Sequence, residues 1–335
     1  MIEPGTLLQN RYLLNDKIGQ GGMGAVYIAT DQRFGSTVAV KETFFTDVNL
    51  RKAFEREARL LNSLRHNALP RVSDHFVEGE GQFLVMEFIG GDDLSTLLEK
   101  NKGPFPVDRV LGWAEQLLDA LEYLHEQTPS IIHRDIKPQN LKLTDRDHII
   151  LLDFGLAKGA PSNLSRVTNT GSVFGYSRSY APLEQIQGTG TDLRSDLYSL
   201  AATLYHLLTG VTPPDAVTRA TAVINGQEDP MVPANEINPK VSPAVAAVLA
   251  SALAQNANQR PASAREMRHA LETADRTPGA GRVTAVVGND SPTIHDQATQ
   301  LLTPRTSPMT GAQAFVAAGA ATVADPKLQG TGTDP

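Results

Sequence analysis

The centre of the chain reads His133-Arg134-Asp135-Ile136-Lys137-Pro138-Gln139-Asn140, and Asp153-Phe154-Gly155 begin 13 residues after Asn140. Seen alone, Asp135 would be interpreted as a residue that caps a loop, and Asn140 as a turn residue. The complete set at this spacing is much more specific than either residue. It predicts that the two motifs form one catalytic centre.

A second candidate site lies near the N-terminus, where Gly19, Gly21 and Gly24 form a G-x-G-x-x-G pattern. This pattern is weak by itself, because dinucleotide-binding folds use the same spacing before a helix and an acidic residue. Here residues 25–27 continue as a β-strand, and the next strand ends in the cation Lys41. The context favours a phosphate-binding glycine loop over a dinucleotide turn or a plain glycine-rich hairpin.

A helix is predicted between Asn49 and Arg65 from four apolar residues at helical spacing: Leu50, Phe54, Leu61 and Leu64. Glu57 fills the gap in this apolar stripe. A buried carboxylate is costly unless a cation meets it, and Lys41 is the natural candidate. The alternative is a purely stabilising ion pair, but such pairs often contribute no more than apolar residues, which favours a functional role.

The composition of the chain limits its possible domain organisation, partners and location. The chain has 335 residues, 41% of them hydrophobic, which is enough for one large domain or two lobes. The net charge of -7 and scattered Lys and Arg residues argue against a nucleic-acid partner. The absence of cysteine excludes disulfides and cysteine nucleophiles, and we expect a cytoplasmic location. We expect no secretory signal in residues 1–10 and no membrane span, since the apolar stretch 311–324 is too short.

The pattern along the chain predicts two lobes and a tail. Short β-rich runs with one helix fill residues 12–87, and helical patterns dominate residues 94–271. Residues 276–335 contain ten Thr, thirteen Gly or Pro and one aromatic residue, too little to bury a core. The predicted divisions are an N-terminal extension (1–10), a catalytic domain (11–271, with lobes 11–88 and 89–271) and a disordered tail (272–335).

Together these motifs resemble those of the bacterial eukaryotic-type (Hanks-type) serine/threonine protein kinases, over about residues 11 to 271. The resemblance implies an α+β bilobal fold, with a small β-rich N-lobe that carries one regulatory helix and a larger helical C-lobe. It also implies a phosphotransferase that moves the γ-phosphoryl group of ATP to serine or threonine hydroxyls of protein substrates. The implied cofactors are ATP and Mg²⁺, with Mn²⁺ as an alternative metal.

The resemblance also implies a role for each motif residue. Phosphoryl transfer mainly needs alignment and neutralisation of oxygen charge. Asp135 would accept and orient the substrate hydroxyl, and Lys137 would reach the transferring phosphoryl group. Asn140 and Asp153 would hold magnesium, which prefers hard oxygen donors.

Further residues are implied to bind the nucleotide. Lys41, held by Glu57, would position the α- and β-phosphates. Residues 85–88 would form the hinge that binds adenine, with Met86 as gatekeeper. The complete predicted set is Ile18, Gly19, Gly21, Gly22, Gly24, Val26, Ala39, Lys41, Glu57, Met86, Glu87, Phe88 and Asp153.

The resemblance also predicts specificity and activation. Lys137 and Ser177, seven residues before Glu184, are typical of the serine/threonine class. Arg134 is a fixed cation that suits a phosphate on the segment before Glu184. The candidate acceptors of an autophosphorylation, with a homodimer as one route, are Ser165, Thr168, Thr170 and Ser172, of which Thr168 and Thr170 are favoured. The alternative is a flexible polar loop.

One departure from the family pattern is visible at residues 182–184, which read Pro-Leu-Glu where the family usually has Ala-Pro-Glu. Glu184 is retained, and Arg260 is predicted to pair with it. Asp196 precedes an apolar helix and could simply cap it. The resemblance implies a second role for Asp196, which is to bind the backbone of the catalytic loop.

In the tail, Thr293 and Thr322 are each followed by an acidic residue three positions later. This spacing suits phosphothreonine-reading modules of the forkhead-associated type, and the alternative is an accident of composition.

Three other functions are alternatives to the kinase hypothesis. An ATP-binding pseudokinase or scaffold is opposed by the intact Lys41, Asp135, Asn140 and Asp153. A small-molecule phosphotransferase is opposed by the length and hydroxyl content of residues 155–184. A dinucleotide oxidoreductase is opposed by the strand after Gly24.

Overall fold

A computed structural model of the chain describes residues 2–21, 24–44, 48–153 and 178–276. These residues belong to one compact unit, Met1–Val283. None of the helices in these ranges is both long enough and apolar enough to cross a membrane. The fold is α+β, as the sequence predicts.

The first lobe is an antiparallel sheet with strand order β1-β2-β3-β4-β6-β5. The strands are β1 (Leu7–Leu8), β2 (Tyr12–Gly21), β3 (Gly24–Asp31), β4 (Ser36–Phe44), β5 (Val72–Glu78) and β6 (Gly81–Glu87). Buried and partly buried residues alternate along the whole of β3, because successive side chains of a strand point to opposite faces. The sheet therefore has two apolar faces to cover.

The outer face of the sheet is covered by the N-terminal residues. Leu7 pairs with Leu13, and the backbone N–H of Ile2 donates to the hydroxyl of Tyr27 at 3.2 Å. Leu8 is buried in the same apolar cluster as Tyr27. The segment that we predicted as an N-terminal extension thus supplies the first strand, which is too short to show an alternating pattern.

The inner face of the sheet packs against a single helix, α1 (Val48–Ser63), which begins and ends within two residues of the predicted helix. Its apolar stripe contributes Phe54, Ala58 and Leu61 to the main core, which continues through Leu84 of β6 into the second lobe. This packing places Glu57 on the side of α1 that faces the rest of the molecule, where it is half-buried.

The second lobe is mainly helical. Its helices are α2 (Leu94–Asn101), α3 (Val107–His125), α4 (Leu183–Gln187), α5 (Leu193–Thr209), α6 (Ala216–Ile224), α7 (Ala234–Ile237), α8 (Pro243–Ala252) and α9 (Ala264–Arg276). The central helix is α5, in which 14 of the 17 residues are buried. It begins at the N-cap Asp192, whose side chain forms a capping box with Ser195, and ends at Gly210 in a left-handed conformation. A rigid buried helix of this kind can hold a neighbouring loop in place.

Two short strands, β7 (Leu141–Leu143) and β8 (Ile149–Leu151), form a hairpin between the lobes. A 3₁₀ turn, Pro138–Asn140, leads directly into β7. Backbone bonds from Leu151 to Ala68 and from Leu152 to Asn140, both 2.8 Å, tie this hairpin to the first lobe and to the turn. The loop before β7 and the residues after β8 therefore lie side by side.

Candidate active site

The loop between α3 and β7 brings Asp135, Lys137 and Asn140 together. The Lys137 Nζ lies 3.2 Å from Oδ2 of Asp135. The Asn140 Nδ2 donates to the backbone carbonyl of Asp135 at 2.7 Å and to its Oδ2 at 3.0 Å. Because the amide nitrogen of Asn140 makes these bonds, its carbonyl oxygen is directed elsewhere. The predicted catalytic residues thus form one cluster with a fixed carboxylate.

The shape of this loop depends on Asp196 of α5. Its carboxylate, which is fully buried, accepts hydrogen bonds from the backbone N–H groups of His133 and Arg134, each at 2.8 Å. The implied contact with the catalytic-loop backbone is therefore confirmed. The simpler prediction, that Asp196 caps the helix, is wrong, since Asp192 four residues earlier is the N-cap.

Three further side chains support the loop. His125 Nε2 lies 2.9 Å from Oδ2 of Asp196, Thr191 Oγ1 accepts from Arg134 Nε at 2.9 Å, and Gln185 Nε2 donates to the Arg134 carbonyl at 2.8 Å. Sequence reasoning did not find these residues. A single His, Thr or Gln outside a motif has no spacing that distinguishes it from an ordinary structural residue.

Across from the loop, Lys41 of β4 forms an ion pair with Asp153, with 2.7 Å between Nζ and Oδ1. Burial would raise the pKa of the Asp153 carboxyl, but the Lys41 ammonium outweighs burial and holds this pKa below its ordinary value. Asp153 has a positive φ of 59°, in the left-handed region that few non-glycine residues adopt. The two residues predicted to bind phosphates and metal are therefore in direct contact.

The predicted pair between Lys41 and Glu57 does not form in this structure. Glu57 makes no hydrogen bond or ion pair with any residue that the structure describes, and Lys41 contacts Asp153 instead. Burial raises the pKa of the Glu57 carboxyl to about 7, against smaller opposing effects of the Arg134 and Lys41 charges. Lys41 is already paired with Asp153, and burial lets the Glu57 carboxyl keep its proton near neutral pH.

The strands around Lys41 carry the other predicted nucleotide-binding residues. Val26 is the cross-strand partner of Lys41, and Ala39 is the partner of Met86. Directly opposite residues in an antiparallel sheet share a face, so these four side chains line the inner face of the sheet. Ile18 lies in β2, near the turn that joins β2 to β3, and is half exposed.

The glycine loop closes the hairpin between β2 and β3, where Gly19 pairs with Val26 and Gly21 with Gly24. At Gly24 the backbone approaches β4 so closely that a Cβ atom would lie 1.8 Å from the Glu42 carbonyl oxygen. Only glycine fits there. A Cβ at Gly19 would meet nothing nearer than Val26 at 3.7 Å.

The predicted hinge, residues 85–88, overlaps the end of β6. Met86 is buried in the main core, and Phe88 packs against the same core from a partly buried position. The Glu87 N–H donates to the Arg71 carbonyl at 2.8 Å, so this N–H is not available to a bound base.

The predicted pair between Glu184 and Arg260 is confirmed. Two guanidinium nitrogens donate to the two carboxylate oxygens at 2.6 and 3.1 Å, and Ser195 donates to the same carboxylate at 2.8 Å. Burial would raise the pKa of Glu184, but the opposite effect of Arg260 is larger and holds this pKa below its ordinary value. The altered step at 182–183 therefore leaves this pair intact.

Several predicted residues lie outside the described ranges. They are Gly22, Phe154, Gly155, Ser165, Thr168, Thr170, Ser172, Ser177, Thr293 and Thr322. Within the described ranges, no group of three or more His, Asp or Glu side chains could hold a metal ion alone. Asn140 and Asp153 fit magnesium as oxygen donors only if phosphate oxygens or water supply the remaining ligands, which is how this ion is usually bound.

Comparison with known proteins agrees with this arrangement. The family model described as "Protein kinase domain" matches residues 12–272. The chain therefore belongs to the protein kinase domain family.

The relatives are bacterial. A probable serine/threonine-protein kinase of Clostridium acetobutylicum is 37% identical over 237 residues, which are 70% of this chain and 35% of the relative. The serine/threonine-protein kinase PksC of Streptomyces coelicolor is 36% identical and covers 78% of this chain and 48% of its own length. PknB of Mycolicibacterium smegmatis is 34% identical, with shares of 78% and 42%.

A solved structure, PpkA-294 in its apo form, is similar to this chain with a TM-score of 0.65 and 28% identity. The match covers 81% of this chain and 99% of that chain. The fold is the protein kinase fold. The chain spans a third to a half of the length of the curated relatives that it matches.

Proposed function

We propose that this protein is a serine/threonine protein kinase that transfers the γ-phosphoryl group of ATP to hydroxyls of protein substrates. The observation that carries the proposal is the cluster in which Asp135 contacts both Lys137 and Asn140, at 3.2 and 3.0 Å. A phosphoryl-transfer site needs an aligned carboxylate, a cation and metal-binding oxygens, and this loop carries all three. The names of the bacterial relatives support the same activity.

In this proposal each side chain has one task. Asp135 accepts the proton of the substrate hydroxyl and holds its oxygen in line for attack. Lys137 neutralises charge that develops on the transferring oxygens. Magnesium at this site would neutralise charge on the phosphate groups. Asn140 and Asp153 would hold this ion.

The contact between Lys41 and Asp153 would change when nucleotide binds. When ATP and magnesium bind, Lys41 would turn to the phosphates and Asp153 to the metal, so their mutual contact would be lost. Glu57 would then ionise and take over as the partner of Lys41. The electrostatic interaction of the two groups supports this step, since the Lys41 charge lowers the pKa of Glu57 against the effect of burial.

Activation would follow autophosphorylation of the segment before Glu184, at Thr168 or Thr170 in preference to Ser165 or Ser172. The support for this is Arg134, a fixed cation adjacent to Asp135 that could pair with a phosphate. A transient homodimer would let one copy phosphorylate another.

Tail phosphorylation at Thr293 or Thr322 would create a binding site for a forkhead-associated domain, as the acidic residue three positions later suits such modules. We place the protein in the cytoplasm on the basis of its lack of cysteine.

Intact-mass analysis tests the proposal. The phosphatase-treated protein is incubated with magnesium and ATP beside Asp135→Asn, with Asp145→Asn as the control at an exposed aspartate. We expect mass gains of one or more phosphates in the parent and the control, and none in Asp135→Asn. Fragment maps then show whether Thr168, Thr170 and the tail threonines are modified. A mass gain in Asp135→Asn equal to that of the parent would overturn the assignment.

A further inference from the structure

Arg134, the residue immediately before Asp135, has a backbone conformation that needs external support. Its φ of 65° lies in the left-handed region, where a non-glycine residue is strained. Asp196 holds its N–H, Thr191 holds its side chain, and Gln185 holds its carbonyl oxygen. The carbonyl belongs to the peptide bond that joins Arg134 to Asp135, and this bond is planar. The orientation of this peptide therefore sets the direction in which the Asp135 side chain projects from the loop.

Gln185 makes this contact from a separate element, the short helix α4. Its side-chain nitrogen donates to the Arg134 carbonyl at 2.8 Å, and the residue is only 6% exposed. Its side-chain oxygen is buried and has no hydrogen-bond partner among the residues that the structure describes. A buried amide oxygen without a partner carries a cost in desolvation free energy. This cost suggests that Gln185 serves a purpose other than stability.

The surroundings of Gln185 indicate which purpose. It borders a small cavity together with Asp135, Lys137 and Tyr180. The cavity volume of about 10 Å³ is enough for one water molecule. Among the described residues, Gln185 reaches the catalytic loop through its hydrogen bond to the Arg134 backbone.

We infer that Gln185 is a positioning residue, which fixes the Arg134–Asp135 peptide and so aligns the Asp135 carboxylate. The inference rests on the proposed kinase function. The neighbouring Glu184 anchors α4 through Arg260. The position of α4 therefore affects the orientation of Asp135 through one hydrogen bond, from Gln185 to the Arg134 carbonyl.

Steady-state kinetics of the full chain test this inference, with MgATP and casein as a serine- and threonine-containing probe. The variants are Gln185→Leu, which removes the bond and the unpaired oxygen, and Gln185→Glu, which keeps the shape. Gln187→Leu changes an exposed glutamine of the same helix and serves as the control. We expect kcat to fall about tenfold or more in Gln185→Leu, because small misalignments of a reacting group have large effects on rate. The KM for ATP should stay within about twofold, since the bond that is removed lies on the catalytic loop.

Gln185→Glu separates positioning from a general structural defect. A carboxylate cannot donate to the Arg134 carbonyl, whereas a protonated carboxyl can. We expect its kcat relative to the parent to rise as the pH is lowered from alkaline to mildly acidic. Equal kcat in the parent and Gln185→Leu, or a pH-independent ratio for Gln185→Glu, would overturn the inference. Transfer in the parent that Asp135→Asn does not diminish would instead overturn the proposed function, and the inference with it.

Discussion

The two halves of the site are held in different ways. On the catalytic loop, Asp135 is fixed by contacts within the loop, and the backbone is held by the buried Asp196 of the central helix. On the nucleotide side, Lys41 forms an ion pair with Asp153, while Glu57 has no hydrogen-bond or ion-pair partner among the residues that the structure describes. The comparison shows that the catalytic loop is built in advance. In the proposed function, the phosphate-binding side would be completed by a change of partners.

The largest effect is expected where the catalytic loop is held. Asp196→Asn replaces one of two accepting oxygens by an N–H₂ group that faces backbone N–H donors. We expect the free energy of unfolding to fall by about 3 kcal/mol or more, since the partners are buried. Urea denaturation measures this change. Asp192→Asn is the control in the same helix, because asparagine caps a helix as well as aspartate does. Similar stability of the two variants would mean that the loop is not held by α5.

A smaller effect is expected in the glycine loop. Gly24→Ala would place a Cβ atom 1.8 Å from a backbone oxygen, whereas Gly19→Ala would make only ordinary contacts. We expect Gly24→Ala to lower the free energy of unfolding by about 2 to 3 kcal/mol, and Gly19→Ala to change it by less than about 0.5 kcal/mol. Thermal melts of both variants test the difference. If both alanines were tolerated equally, β3 and β4 would not be as close as described.

The smallest effect concerns Glu57 and is seen only as a pH dependence. Its pKa of about 7 in the folded protein lies above that of an unfolded chain, so unfolding releases a proton between these values. The contribution of Glu57 to stability therefore falls as the pH rises from about 4.5 to about 7. We expect about 1 kcal/mol, because solvent screens a half-buried carboxylate.

Urea denaturation of the parent and Glu57→Gln across this pH range isolates the effect, since the variant cannot titrate. The stability difference should change in favour of Glu57→Gln as the pH rises. Parallel curves would show that Glu57 already has a cation partner, which would remove the contrast between the two sides of the site.

Sequence reasoning succeeded where residues that are close in the chain are also close in space. Asp135, Lys137 and Asn140 share one loop, so their spacing predicts their contacts. The pairing of Glu184 with Arg260 was obtained from family resemblance, and the structure confirms it. The pairing of Lys41 could not be obtained in this way, because it depends on how far α1 stands from the sheet. A sequence does not fix this distance when two carboxylates compete for one cation.

Other features carried no signal that a sequence could show. The strand Leu7–Leu8 has too few residues for an alternating pattern. Gln185 and His125 act through single hydrogen bonds to backbone and side-chain atoms that only the folded chain brings near. Such supporting residues are found by asking which buried polar groups hold a strained backbone, and not by motif.

We propose that Asp135 performs the chemistry at a site that binds nucleotide independently of this carboxylate. The most direct test measures two properties of Asp135→Asn together, which are its affinity for MgATP by calorimetry and its rate of phosphoryl transfer to casein. We expect Asp135→Asn to bind MgATP with an affinity within about threefold of that of the parent. Its rate of phosphoryl transfer should be lower by a factor of about 10² to 10⁴. Unchanged transfer by Asp135→Asn would contradict the account. If neither the parent nor Asp135→Asn transferred phosphate, and both bound MgATP, the protein would instead be a nucleotide-binding scaffold.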